Sequence, residues 1–321
     1  MNVGFKFTVA IPTYNGESRL PELLRRLENQ LDTENFSWEI IVVDNNSTDN
    51  TAQLIQSLQA NWQYPYPLKY YFEVKQGAAY ARSRAIAESQ SELIGFLDDD
   101  NYPEPNWVVE AYKFAQKYPQ AGAYSSQIHA NWEIAPPENF DRIAPFLAIT
   151  ERGDLPLLYK PAQKLLPPSA GLVVRRQAWL ESVPEQPILT GRVTGNMLTS
   201  EDLEMLSYIQ KNGWEIWYNP EMKIYHQIPA SRLKKEYLIP FFRGIGLSRH
   251  VTRMVNVKSS YRPLLVLAYL VSDSMKIIYH LLRYGYKLPT DLVAACEMQL
   301  FLAKLYSPFY LWKKGYLKGR L

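Results

Sequence analysis

Two hydrophobic rhythms alternate along the first hundred residues. Phe7-Thr8-Val9-Ala10-Ile11-Pro12, Trp38 to Asp44, Leu68 to Val74 and Leu93 to Leu97 are short, nearly continuous apolar runs. Runs of that length, closed by polar residues, predict strands buried on both faces. Between them Leu20, Leu23, Leu24, Leu27 and Leu31, and then Leu54, Ile55 and Leu58, recur at helical spacing. A third helix is expected from Gly77 to about Ser89. The order β-α-β-α-β-α-β predicts a mostly parallel sheet with helices on both faces. Further on the pattern predicts a helix over Pro105 to Tyr118 and strands over Ala121 to Gln127 and Ala170 to Arg175. A helix from Glu201 to near Gly213 follows, then two separate strands, Trp214 to Tyr218 and Lys223 to His226. His129 to Pro168 has no clear period and is broken by prolines, which reads as a functional loop or lid. The polar stretch Leu189 to Ser200, with Gly191 and Gly195, reads as a second loop.

The chain divides in charge as well as in pattern. Residues 1–230 hold 19 Lys+Arg against 28 Asp+Glu, and residues 231–321 hold 16 against 4. The expected organisation is an α/β domain over 1–230 and a helical, basic, amphipathic region over 231–321. In that region Pro263 to Leu282 and Leu292 to Trp312 are strongly apolar, yet interrupted by Asp273, Lys276, Glu297 and Lys304. Such helices suit the plane of a membrane interface, a packed cap or a homo-oligomer surface better than a clean span. Nucleic acid is disfavoured as a partner, because the charge comes with a large apolar payload. The single cysteine, Cys296, excludes an intrachain disulfide and fits a reducing compartment. Met1 to Phe7 has no apolar core of signal-peptide length, which argues against secretion.

The polar ends of the strands carry the chemistry. Leu93-Ile94-Gly95-Phe96-Leu97 runs into Asp98-Asp99-Asp100-Asn101. An isolated triplet of acids reads first as a solvated turn. At the carboxyl end of a buried strand, where open α/β sheets bind ligands, the repulsion among three carboxylates would be relieved by a hard divalent cation. Neither G-x-G-x-x-G nor a Walker loop is present, so a nucleotide would be held by Asp and Asn side chains and a metal. Glu201-Asp202 opens a helix, where capping is the plain reading. His226 alone reads as structural, and Trp132 and Trp179 as packing aromatics before sugar platforms.

Taken in order, IPTYN, VVDNNSTDNT, FLDDDN, SEDLE and the later YH resemble family-2 glycosyltransferases of the GT-A fold, and in detail, including HQIPASRL, the cyanobacterial hormogonium polysaccharide glycosyltransferases. The resemblance spans roughly Thr8 to Arg249. It implies a nucleotide sugar, usually a UDP-sugar, as donor, Mg²⁺ or Mn²⁺ as cofactor, and an inverting transfer to a saccharide or lipid-linked saccharide. Carried over, Pro12, Thr13, Tyr14, Asn15 and Glu17 would flank base and ribose, with Asp44 on the base edge and Asn46 and Ser47 beside it. Arg82, Asp98 and Asp99 would contact the nucleotide, Asp100 and His226 would hold the metal, and Asp202 would be the base. The two groups of acids would then have to meet across one crevice. A polyprenyl-phosphate transferase and a non-catalytic nucleotide-sugar-binding subunit are the alternatives. The family would act at the cytoplasmic face of the plasma membrane.

Overall fold

The computed structural model describes residues 4–161, 165–193 and 197–317; Gly195 and Lys318 lie outside them. The four apolar runs form strands β1 (Phe7–Thr13), β2 (Trp38–Asp44), β3 (Leu68–Phe72) and β4 (Leu93–Phe96). Helices α1 (Leu20–Glu28), α2 (Thr51–Ala60) and α3 (Ala78–Glu88) join them. The order β3-β2-β1-β4 is parallel throughout, as the alternation requires. Leu20, Leu23, Leu24 and Leu27 of α1 are buried in the same apolar core as Val9, Ile11, Ile40 and Val42. Leu31, beyond the helix, is exposed.

After the triplet of acids come β5 (Asn101–Pro103), α4 (Trp107–Lys117), β6 (Ala121–Trp132), β7 (Leu157–Leu158), β8 (Leu172–Arg175) and α5 (Arg176–Ser182). Helix α6 (Glu201–Lys211) leads to β9 (Glu215–Ile228). Pairing in this half is antiparallel: β4 with β8, β6 with β8, β5 with β9 and β7 with β9. The sheet is therefore parallel at one side and antiparallel at the other. The two strands expected over 214–226 are one continuous strand. The unpatterned 129–168 stretch contains β7 and short 3₁₀ turns at Phe140–Arg142 and Ala144–Leu147.

Two compact units emerge, and their boundary differs from a simple cut at 230. The first comprises Met1–Asn131, Ala148–Glu185 and Ile209–Gln227 and holds the sheet. The second comprises Trp132–Leu147, Gln186–Tyr208 and Ile228–Leu321. Asp202 thus belongs to the helical unit rather than to the sheet unit. That unit is built on α7 (Lys235–Met254), α8 (Arg262–Tyr284) and α9 (Leu292–Lys313). Helix α9 lies close along α7 because Gly246 has no side chain; a Cβ there would fall 2.4 Å from Ala303 Cβ.

Candidate active site

In the sheet unit the polar ends of β1, β2 and β4 are locked to one another. Asn15 and Asn46 both adopt left-handed backbone (φ 51° and 63°), which short amide side chains tolerate. The Asn15 N–H donates to Ser47 Oγ at 2.9 Å, and its Oδ1 accepts from the Thr48 N–H at 2.8 Å. Glu17 accepts from the Asn50 side-chain amide at 3.0 Å. Gly16 lies so close to Thr13 that a Cβ would fall 2.1 Å from its Oγ1. Pro12 lies half-buried one residue before the end of β1, and Tyr14 presents its ring to solvent. Asp44, buried at the end of β2, accepts from the Ser47 N–H and the Tyr70 hydroxyl, both at 2.9 Å. Burial, and then the Asp44 partner, push Tyr70 up to about 12, so it remains a donor.

Each of the three acids has a different partner. Asp98 receives Arg82 Nη2 at 3.3 Å, with the arginine side chain buried and the carboxylate partly exposed. Asp99 is buried and takes both Arg19 Nε (2.7 Å) and Nη2 (2.8 Å), as well as the Thr13 hydroxyl at 2.6 Å. Burial raises the Asp99 carboxyl above its ordinary value, against the pull of Arg19 and Thr13. Asp100 stands 3.6 Å from His226 Nε2 and accepts from the Asn101 side chain at 3.1 Å. Pairing of β5 with β9 makes this meeting, since Asn101 is in register with His226 and the Gln227 N–H donates to the Asp100 carbonyl. Residues more than a hundred positions apart are thereby brought side by side.

Among the described residues no three His, Cys, Asp or Glu side chains gather as metal ligands. A Mg²⁺-type site takes one or two protein ligands and completes its shell with water and phosphate oxygens. An imidazole next to a nearly buried carboxylate is a donor pair of that kind.

Arg19 was missed from the sequence. It stands at the N-cap of α1, where a cation opposes the helix dipole, and that misfit was the available signal. Asn45 was missed too; its side chain donates to the carbonyls of Glu73 and Lys75 and accepts from the Gly77 N–H, fixing the approach to α3. Trp179 packs buried against Phe96, and Trp132 stands edge-on to Phe140.

In the helical unit Asp202 lies half-buried in the first turn of α6, its Oδ1 accepting from the Leu203 N–H at 2.8 Å. Glu204, fully buried, accepts from the N–H groups of Ile188 and Leu189 at 2.9 and 2.7 Å and anchors that segment to α6. Arg249 on α7 is held below its ordinary value by burial and by the Arg253 charge, with Asp202 and Asp273 opposing.

A parallel Rossmann-like half continued by antiparallel strands, with acids at the turn between them, is the GT-A fold. The model of "Glycosyl transferase family 2" matches residues 8–177, and the chain belongs to that family. Of solved structures, a Pyrobaculum calidifontis mannosyltransferase in complex with GDP-Man and Mn²⁺ superposes with TM-score 0.59 at 18% identity, covering 98% of this chain and 89% of that one. Staphylococcus aureus TarS residues 1–349 with UDP-GlcNAc gives TM-score 0.54 at 16% identity, covering 97% and 92%. Among curated relatives, the poly(ribitol-phosphate) β-N-acetylglucosaminyltransferase TarS of Staphylococcus aureus is 31% identical over 119 residues, 35% of this chain and 19% of that protein. A Campylobacter jejuni GalNAc(5)-diNAcBac-PP-undecaprenol β-1,3-glucosyltransferase is 33% identical over 98 residues, 30% of each. The alignments thus span less than a third of these relatives.

Proposed function

We propose that this chain is an inverting glycosyltransferase that moves a sugar from a nucleotide-diphosphate sugar, of UDP type, to a hydroxyl of a growing surface polysaccharide or lipid-linked saccharide. The observation that carries the reading is the Asp100–His226 pair, set beside the Arg82–Asp98 contact at the carboxyl end of β4. Both the family and the glycosyltransferase relatives support it. Pro12, Thr13, Tyr14, Asn15, Glu17, Asp44 and Asn46 shape the nucleotide side, and Arg82 fixes Asp98 against the ribose. Asp99, with its Arg19 and Thr13 partners, holds the triplet in place. A Mg²⁺ or Mn²⁺ ion held by Asp100 and His226 would stabilise, as a Lewis acid, the charge developing on the leaving diphosphate. Asp202 accepts the proton of the acceptor hydroxyl as its oxygen attacks the anomeric carbon. The bond from that carbon to the diphosphate oxygen breaks on the opposite face, so the configuration inverts. Acceptors of this class are assembled at the cytoplasmic face of the plasma membrane, where we place the enzyme.

Asp202→Asn is expected to lower transfer by roughly 10²–10⁴-fold with nucleotide binding retained. Asp100→Ala is expected to lose metal-dependent nucleotide binding as well, read by calorimetry with UDP and Mn²⁺. Wild-type turnover by Asp202→Asn removes that residue as the base.

A further inference from the structure

The two apolar helices of the second unit have different fates. Helix α9 turns Val293, Ala294, Cys296, Leu300, Ala303 and Leu311 into the unit's interior. Helix α8 buries Asp273 and His280, the first in a bidentate pair with Arg253 (2.5 and 2.9 Å), the second bonding the Ala294 carbonyl at 2.9 Å. Its opposite face stays open. Leu264, Leu267, Val271, Met275, Ile278 and Leu282 recur every three or four residues and are 57–82% exposed. At 1.5 Å per residue the stripe is about 27 Å long, and a contiguous apolar strip of that size on a surface marks an interaction site.

The charges of the same stretch of chain identify what it meets. From Ser259 to Leu317 every exposed charged residue is a cation: Lys276, Arg283, Lys287, Lys313 and Lys314. The three acids of the stretch are turned to internal work. Asp273 is paired with Arg253, Asp291 caps α9 by accepting from the Ala294 N–H, and Glu297 pairs with Arg142. Exposed Tyr261, Tyr279, Tyr286 and Trp312 add amphipathic rings of the kind enriched at the headgroup level. With five exposed cations and no exposed acid in this stretch, a second copy of it would offer no charge complementary to its own.

We propose that the open face of α8 docks in the plane of a bilayer rich in anionic lipid, apolar stripe down, with its cations among the headgroups. Helix α8 is also long and apolar enough to cross a bilayer. Its buried Asp273 and His280, each bonded to a neighbouring helix, keep one face on protein and favour the in-plane arrangement. This inference rests on the membrane reading above and specifies its surface and its lipid class.

The test is co-sedimentation of the full chain with phosphatidylcholine vesicles and with vesicles also containing phosphatidylglycerol. Wild type is expected to bind the anionic vesicles at least about tenfold more tightly, and to release them as salt rises. The triple variant Leu267→Gln/Val271→Gln/Ile278→Gln should weaken that binding at least about tenfold with an unchanged melting curve, since these side chains are already exposed. Lys276→Glu/Arg283→Glu/Lys287→Glu should lose the preference for anionic lipid even if the first variant fails to fold. Equal weak binding to both vesicles would overturn the proposal. So would resistance of membrane-bound wild type to carbonate extraction, or a wild-type dimer that the triple variant converts to monomer. UDP release from the donor in solution, measured on the same proteins, separates failure of this docking from failure of the transferase reading.

Discussion

In the sheet unit each buried acid meets a matched donor, whereas in the helical unit a group of half-buried cations outnumbers the acids among them. Asp99 faces Arg19 and Thr13, Asp44 faces Tyr70, and Glu39 pairs with Lys69 at 2.6 Å while accepting from Thr8. Arg249, Arg253 and Lys304 in the other unit are grouped near the buried carboxylate of Asp273, with Asp202 also acting on Arg249. His250, beside them, is driven down to about 4 by burial and by Arg253 and Arg262, so it stays neutral. The difference separates two tasks. Compensated acids have their oxygens held in place by specific donors. In a cation cluster short of acids, burial and mutual repulsion favour the neutral forms of Lys304 and His250.

Substitutions that remove one partner should break the comparison most sharply where burial is deepest. Asp273→Asn removes the bidentate partner of Arg253 and the most deeply buried acid beside these cations, and a loss of about 3 kcal/mol is expected in urea unfolding. A loss below about 1 kcal/mol would mean that solvent already compensates these cations. Arg19→Met strands the Asp99 carboxylate in the same way, but the arginine is itself 40% exposed. A smaller loss, about 2 kcal/mol, is expected there. It should come with weaker nucleotide binding, because the loop after β1 loses its tie to the triplet of acids. Unchanged nucleotide affinity would show that Asp99 supports stability alone.

How much of this was legible in the chain depends on whether the signal was local. Strands β1 to β4 and the leucines of α1 could be read because a doubly buried strand and an amphipathic helix each write their own pattern. Strand β9 could not, since Asn219-Pro220-Glu221 looks like a turn. In the structure the proline lies between the registers of two short partners, with β7 pairing at Trp217–Tyr218 and β5 at Ile224–His226. The three acids were visible, but their separate partners depend on tertiary closure: Arg19 lies eighty residues from Asp99, and His226 farther still from Asp100. Hydropathy also could not rank α8 against α9. Gly246, whose missing side chain admits α9 close to α7, belongs to the tertiary packing that separates the two. The placement of Asp202 in the helical unit came from chain crossings between the units that no local pattern encodes.

The mildest test concerns Lys304. Burial, reinforced by Arg249, Arg253 and Lys276, lowers its ammonium to about 7 from an ordinary value near 10.5. Between those two values the unfolded chain holds a proton that the folded chain has released, so stability rises with pH across that window and is lost as pH falls toward 7. Cys296 works in the opposite sense, since burial pushes its thiol up to about 12 and the folded chain keeps a proton that the unfolded chain gives up above about pH 9. His250 is neutral in both states above pH 7, which leaves Lys304 dominant between about pH 7 and 8.5. Over that interval wild-type stability should increase by about 1 kcal/mol, and Lys304→Met should flatten the profile and be the more stable protein at pH 7. Parallel profiles for the two proteins would show that Lys304 keeps its charge, and hence that the helical unit compensates its cations as fully as the sheet unit compensates its acids.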